Sequence, residues 1–194
     1  TSMVCGKQVD FEDIHCEGIT KITPIDIKYA KAMGCSIKLL ATSKKVGDSY
    51  SCIVAPFMLP KDHALCGVGD VFNGIFVHGN VLGDAMFYGS GAGKLPTASA
   101  VVADVVDMVK HQHTNIYIDW SEEKMELVDY KDRQTKFFVR TSSYPAAVLD
   151  AFGHVNYVDA DVEGETAFTT ELMSEGEFES RVAKINLINR IRLA

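Results

Sequence analysis

Apolar residues recur along the chain with two periods. The segments 36–43 (SIKLLATS), 49–57 (SYSCIVAPF), 73–79 (NGIFVHG) and 84–88 (DAMFY) alternate or run apolar, which predicts strands. Gly47-Asp48 separates the first two and Asn80 to Gly83 the last two, so both pairs read as antiparallel hairpins. Residues 9–19 (VDFEDIHCEGI) also alternate and predict a strand-like entry. Thr23-Pro24-Ile25-Asp26 predicts a helix start. Thr23 is the cap, Pro24 stands where no amide partner is needed, and Asp26 lies near the positive helix end. Gly34, after Met33, predicts its stop. Over 97–110, Ala98, Val101, Val102, Val105, Met108 and Val109 recur at helical spacing, with Asp104, Asp107 and Lys110 opposite. Valines lower intrinsic helix propensity, so this helix is expected to lie on the sheet and depend on that packing.

The stretch 111–134 is polar, with room for two short strands around 115–120 and 125–130, and a domain boundary is expected near residue 134. Beyond it the pattern predicts strand 135–142, helix 145–152, strand 154–161, strand 165–173, helix 175–185 and strand 189–193. That βαββαβ order is the ferredoxin-like plan, with both helices on one face and the other face open. The expected class is α+β, a mixed sheet packed by helices and followed by a small ferredoxin-like domain. The two domains are 1–134 and 135–194.

A net charge of −7 argues against nucleic acid or an anionic membrane as partner. No apolar run approaches the roughly 18–20 residues of a bilayer span. No signal-type leader precedes Met3, and the chain reads as intracellular and cut from something longer. Cys5, Cys16, Cys35, Cys52 and Cys66 are odd in number and irregularly spaced, which fits buried thiols in a reducing cytoplasm.

The most informative chemistry lies in Tyr88-Gly89-Ser90-Gly91-Ala92-Gly93-Lys94-Leu95-Pro96-Thr97, which joins a strand to the valine helix. Alternate glycines let the main chain approach a ligand closely, although a tight turn alone would also explain them. Lys94 breaks a dinucleotide fingerprint, and Tyr88 and Leu95 break a phosphate-binding loop. The spacings His63/Cys66 and His111/His113 lack a second pair for zinc, so no metal site is expected. Glu12, Asp13 and Glu17 read as a solvated face. Lys38 reads as a snorkelling residue on a half-exposed strand. No nucleophile elbow occurs around Ser90.

Two stretches carry a resemblance to a known family. CEGITKITPIDIKYAKAMGCSIKLLA (16–41) and VAPFMLPKDHALCGVGDVFNGIFVHGNVLGDAMFYGSGAGKLPTASAVVADVV (54–106) closely resemble the substrate and dimerisation domain of homoserine dehydrogenases. Residues 135–194 resemble a shortened ACT regulatory domain. The resemblance implies NAD(P)-dependent interconversion of L-homoserine and L-aspartate 4-semialdehyde, in threonine and methionine biosynthesis. It implies a cytoplasmic homodimer or tetramer. It places the cofactor contact at Gly93, with Gly91 as its neighbour, and implies that NAD(P) is bound mainly by an N-terminal domain absent here. The family's catalytic lysine and homoserine-binding carboxylates also precede the matched region, so no catalytic residue carries over and the chain alone is expected to be inactive. Where the family's regulatory domain has an Asp-x-Pro-Gly-type turn, this chain has Ser142-Ser143-Tyr144-Pro145. That change puts an amino-acid effector in doubt. The alternatives are an amino-acid-binding regulatory module and an assembly domain without catalysis.

Overall fold

In a computed structural model, which describes residues 1–115, 117 and 121–194, the chain forms five α-helices and ten strands among the described residues. The helices are α1 (Ser2–Cys5), α2 (Pro24–Ala32), α3 (Lys94–Lys110), α4 (Pro145–Phe152) and α5 (Glu175–Val182). The strands are β1 (His15–Cys16), β2 (Cys35–Val46), β3 (Ser49–Pro60), β4 (Phe72–Gly79), β5 (Gly83–Ser90), β6 (Gln134–Thr141), β7 (Val155–Tyr157), β8 (Thr166–Thr170), β9 (Met173–Ser174) and β10 (Leu187–Leu193). Two compact units result, one of residues 1–61 with 120–194 and one of residues 62–119.

The first unit is built on one mixed sheet in the order β1-β3-β10-β6-β8-β7, with β2 added to β3 and β9 to β6. β2 and β3 form the expected hairpin, in register from Cys35↔Pro60 to Val46↔Ser49 around Gly47-Asp48. β3 is central and almost wholly buried, which explains its near-continuous apolar run. Its second edge has two parallel partners in succession, β1 at Ile53–Val54 and β10 at Phe57–Met58. The Val54 and Met58 carbonyls accept from Glu17 and Ala194 N–H groups along that edge. Pro56, of the same parity, therefore aims its missing N–H into the gap between the partners, where no ladder bond is lost.

The βαββαβ segment is present, with strand order β10-β6-β8-β7 and every pair antiparallel. Both helices cover one face. Phe137 and Val139 of β6 pack with Val148 and Phe152 of α4 and Phe178 of α5, and the Phe137 and Phe178 rings stack at 3.9 Å. The other face is not open as the pattern suggested. α2 lies on it, burying Tyr29 and Ala30 against Phe138, Ala167 and Ile191. Thr23 caps α2 in a reciprocal capping box with Asp26. The boundary expected near 134 therefore falls within one shared sheet, since β6, just after it, is joined through β10 to β3.

The second unit holds the β4–β5 hairpin, in register from Phe72↔Ser90 to Gly79↔Gly83, and α3. α3 spans the expected residues but has no buried residue, and Val101, Val102, Val105 and Met108 are all exposed. The expectation that it lies on a sheet is not met, because its apolar stripe meets no covering surface among the described residues.

Residues 9–19 contain a strand only at His15–Cys16, since Phe11–Asp13 curl into a 3₁₀ turn. The strand expected over 115–120 falls largely outside the described residues. The one over 125–130 is reduced to an isolated bridge, Tyr50↔Leu127. Of the five cysteines only Cys52 is buried. Cys16 is exposed, the others are half-buried, and all five are free thiols.

Candidate functional site: the glycine turn before α3

Gly91 and Gly93 lie in the turn between β5 and α3, and both are exposed. Gly93 holds φ 120° and ψ 149°, a backbone state essentially closed to residues with a side chain. A β-carbon there would also meet Pro96 Cδ at 3.3 Å. The Gly93 carbonyl accepts from Thr97 N–H at 3.1 Å, and so anchors the first turn of α3. The first-turn amides have no carbonyl four residues earlier, so this helix start can offer N–H groups to an anionic ligand. Gly91 donates its N–H to the Val71 carbonyl at 3.2 Å. A β-carbon built on Gly91 would overlap Asn73 Nδ2. Sequence reasoning singled out both glycines and missed Asn73. The hairpin register, which sets Asn73 opposite Gly89, is the signal that could have found it. A bare glycine surface at a helix start leaves room for a ligand to approach the backbone closely at Gly93.

The other sequence candidates do not join this turn. His63 caps a short 3₁₀ turn, its Nδ1 accepting from Leu65 N–H at 3.2 Å, and its ring leans on Phe76. His111 pairs with Asp107 at 3.2 Å. Lys38 lies half-buried on β2 opposite Phe57, as a half-exposed strand would place it.

Glu17 departs from the solvated face expected of it. It accepts from Arg190 Nη1 and Nη2, both at 2.9 Å, from Arg192 Nη1 at 3.0 Å and Nη2 at 2.7 Å, and pairs with His15 Nε2 at 2.8 Å. Burial works against its ionisation, but the hydrogen bonds from Arg192, Arg190 and His15 outweigh it and hold the carboxyl far below its ordinary range. Glu12 and Asp13 are exposed, as expected. Arg192 is fully buried and also binds both oxygens of buried Glu175. On the opposite face of the sheet, Arg140 binds Asp26 Oδ1 at 2.7 Å and both oxygens of Glu165, at 2.9 and 2.7 Å. These networks spend their charges on one another. They join α2 and β1 to the βαββαβ segment and leave little free charge for a ligand.

A family model described as "Homoserine dehydrogenase" matches residues 1–106, more than half of the chain. The homoserine dehydrogenase of Synechocystis sp. is 46% identical over 112 residues, covering 56% of this chain and 26% of that protein. That of Helicobacter pylori is 35% identical over 139 residues, 72% of this chain and 33% of its own length. The crystal structure of a homoserine dehydrogenase from Thiobacillus denitrificans is similar over 100% of this chain and 50% of its own, with TM-score 0.84 and 26% identity. The matched chain thus spans a quarter to a third of these curated relatives and half of the solved one.

Proposed function

Because the chain belongs to the homoserine dehydrogenase family, we propose that it forms part of an enzyme interconverting L-homoserine and L-aspartate 4-semialdehyde with NAD(P), in threonine and methionine biosynthesis. The observation that carries this reading is the Gly91–Gly93 turn within the matched residues, with a backbone that only glycine adopts at the start of α3. When bound, the nicotinamide takes up or supplies the hydride, and the balance is homoserine plus NAD(P)⁺ giving semialdehyde, NAD(P)H and a proton. The chain's own part is close backbone approach at Gly93 and a rigid mount for it. The remainder of the dinucleotide is held by the portion of the relatives that this chain does not match. No group of this chain is assigned to proton transfer. The same reading makes the enzyme cytoplasmic and a homodimer or tetramer.

Joining the chain to the N-terminal portion of the Synechocystis relative tests it. The joined protein reduces NAD(P)⁺ only when homoserine is added, and neither part does so alone. A folded joined protein without homoserine-dependent NAD(P)H formation overturns the reading.

Residues 135–194 are read as an ACT-like domain on their strand order. The cleft beside its first helix, lined by Ser142, Ser143, Tyr144, Gly164, Glu165 and Thr166, has one carboxylate, Glu165, and Arg140 already holds both of its oxygens. An amino-acid ammonium finds no free carboxylate there. Millimolar threonine is therefore expected to move the melting temperature of the chain by less than about 1 °C, where a site saturated a hundredfold would add about 2.7 kcal/mol. A saturable rise of several degrees would show that the cleft binds it.

A further inference from the structure

We propose that Asn73 is a positioning residue for the nicotinamide dinucleotide, acting through the glycine turn; this rests on the function proposed above. Asn73 lies on β4 opposite Gly89, one residue pair from the open end of the hairpin. Its carboxamide occupies the space that a side chain on residue 91 would fill, with Nδ2 overlapping the position of that β-carbon and Cβ 3.2 Å from it. The Gly91 N–H is tied to Val71, which immediately precedes β4. Gly91 is thus held from two sides by one short segment, Val71 to Asn73, through a backbone bond and through a side chain packed on its bare Cα.

Such bracing has a physical purpose. A Gly-Ala-Gly run has wide conformational freedom, and a flexible turn would pay ordering entropy each time a ligand came against it. Seating a carboxamide where a β-carbon would stand keeps the backbone bare toward the ligand and limits its freedom on the other side. Only Ala92 separates this seat from Gly93, so an altered path at Gly91 is transmitted to the residue that would lie against the cofactor. The Asn73 side chain makes no hydrogen bond among the described residues and is exposed, so its seat on Gly91 is a packing contact. Gly91 is required here for the same reason. A methyl group at 91 would evict the carboxamide.

The test is a double-mutant cycle in the joined protein described above. Asn73→Ala raises KM for NAD(P)⁺ roughly tenfold while kcat stays within about twofold, as loss of a preorganised surface that binds the cofactor equally in the ground and transition states predicts. Gly91→Ala does the same by displacing the carboxamide. The double variant is no worse than the worse single one, because both act through one contact. A merely structural role would lower the melting temperature and the active fraction and leave KM unmoved. An unchanged KM in Asn73→Ala, or single-variant effects that multiply in the double variant, overturns the proposal. Failure of the unmutated joined protein to turn over is failure of the functional reading instead. In that event hydrogen exchange at the Gly91 amide, which the Val71 carbonyl holds, decides the matter in the 194-residue chain. Exchange accelerates roughly tenfold in Asn73→Ala if the turn is braced, and unchanged exchange sinks the bracing.

Discussion

Replacing Arg192 by methionine lowers the unfolding free energy by roughly 3–5 kcal/mol, the usual cost of removing one member of a buried ion pair. Arg192 is 0% exposed and grips both oxygens of Glu175, which is 1% exposed, as well as both oxygens of Glu17. Glu17 keeps Arg190 and His15 when Arg192 is lost, so most of the cost comes from stranding Glu175. Methionine fills similar volume, so little of the loss is cavity. The origin of the cost can be read directly. Arg192→Met combined with Glu175→Met recovers most of the lost stability, since two apolar side chains can replace a buried pair at little net cost. Urea unfolding at neutral pH measures all three proteins. A single variant losing less than about 1 kcal/mol would mean that water reaches the pair.

Asp26→Ala is the second large effect, roughly 3 kcal/mol, combining a lost helix cap with a half-stranded buried arginine. Asp26 is fully buried and accepts from Thr23 N–H and Thr23 Oγ1–H, both at 2.7 Å, from Arg140 at 2.7 Å and from Asn189 Nδ2 at 2.9 Å. Burial opposes its charge, but Arg140, Thr23 and Asn189 outweigh burial and lower its pKa below the ordinary 3.8. A carboxyl whose folded pKa is depressed contributes stability that is complete above the unfolded value and is lost as pH falls through the folded one. Glu17, depressed from 4.5, acts in the same direction. The unmodified chain should therefore lose stability steeply as the medium is acidified below these ordinary values. Asp26→Ala, lacking one of the two groups, should show a shallower slope there, and its deficit should shrink toward low pH. Urea midpoints across the acid range measure this. Parallel curves for the two proteins would show that Asp26 is not held ionised by folding.

Local chemistry made several parts of the architecture legible. The α2 capping box, the Gly47-Asp48 hairpin and the limits of α4 depend on residues within four positions of one another, and each appears where the pattern put it. The glycine turn was legible for the same reason, as a run of bare positions between a strand and a helix. The face covered by α2 was not. Nothing near Tyr29 says that Phe138, more than a hundred positions away, is its neighbour. Glu17 looked like one of a solvated trio because its partners, Arg190 and Arg192, lie at the other end of the chain. Asn73 was missed because its meaning is a contact across the hairpin.

By itself, then, the order of residues determined the main helices and hairpins, the α+β class, the βαββαβ sequence and the glycine turn, because periodicity, caps and turn residues act over a few bonds. Tertiary structure alone decided that β3 joins the N-terminal hairpin to the C-terminal sheet, that α2 closes that sheet's second face, and that Glu17 is bound rather than solvated. It also decided which side chain seats on Gly91. Those outcomes depend on which distant surfaces exclude water together and which charges meet once they do, and no short window of sequence contains both partners.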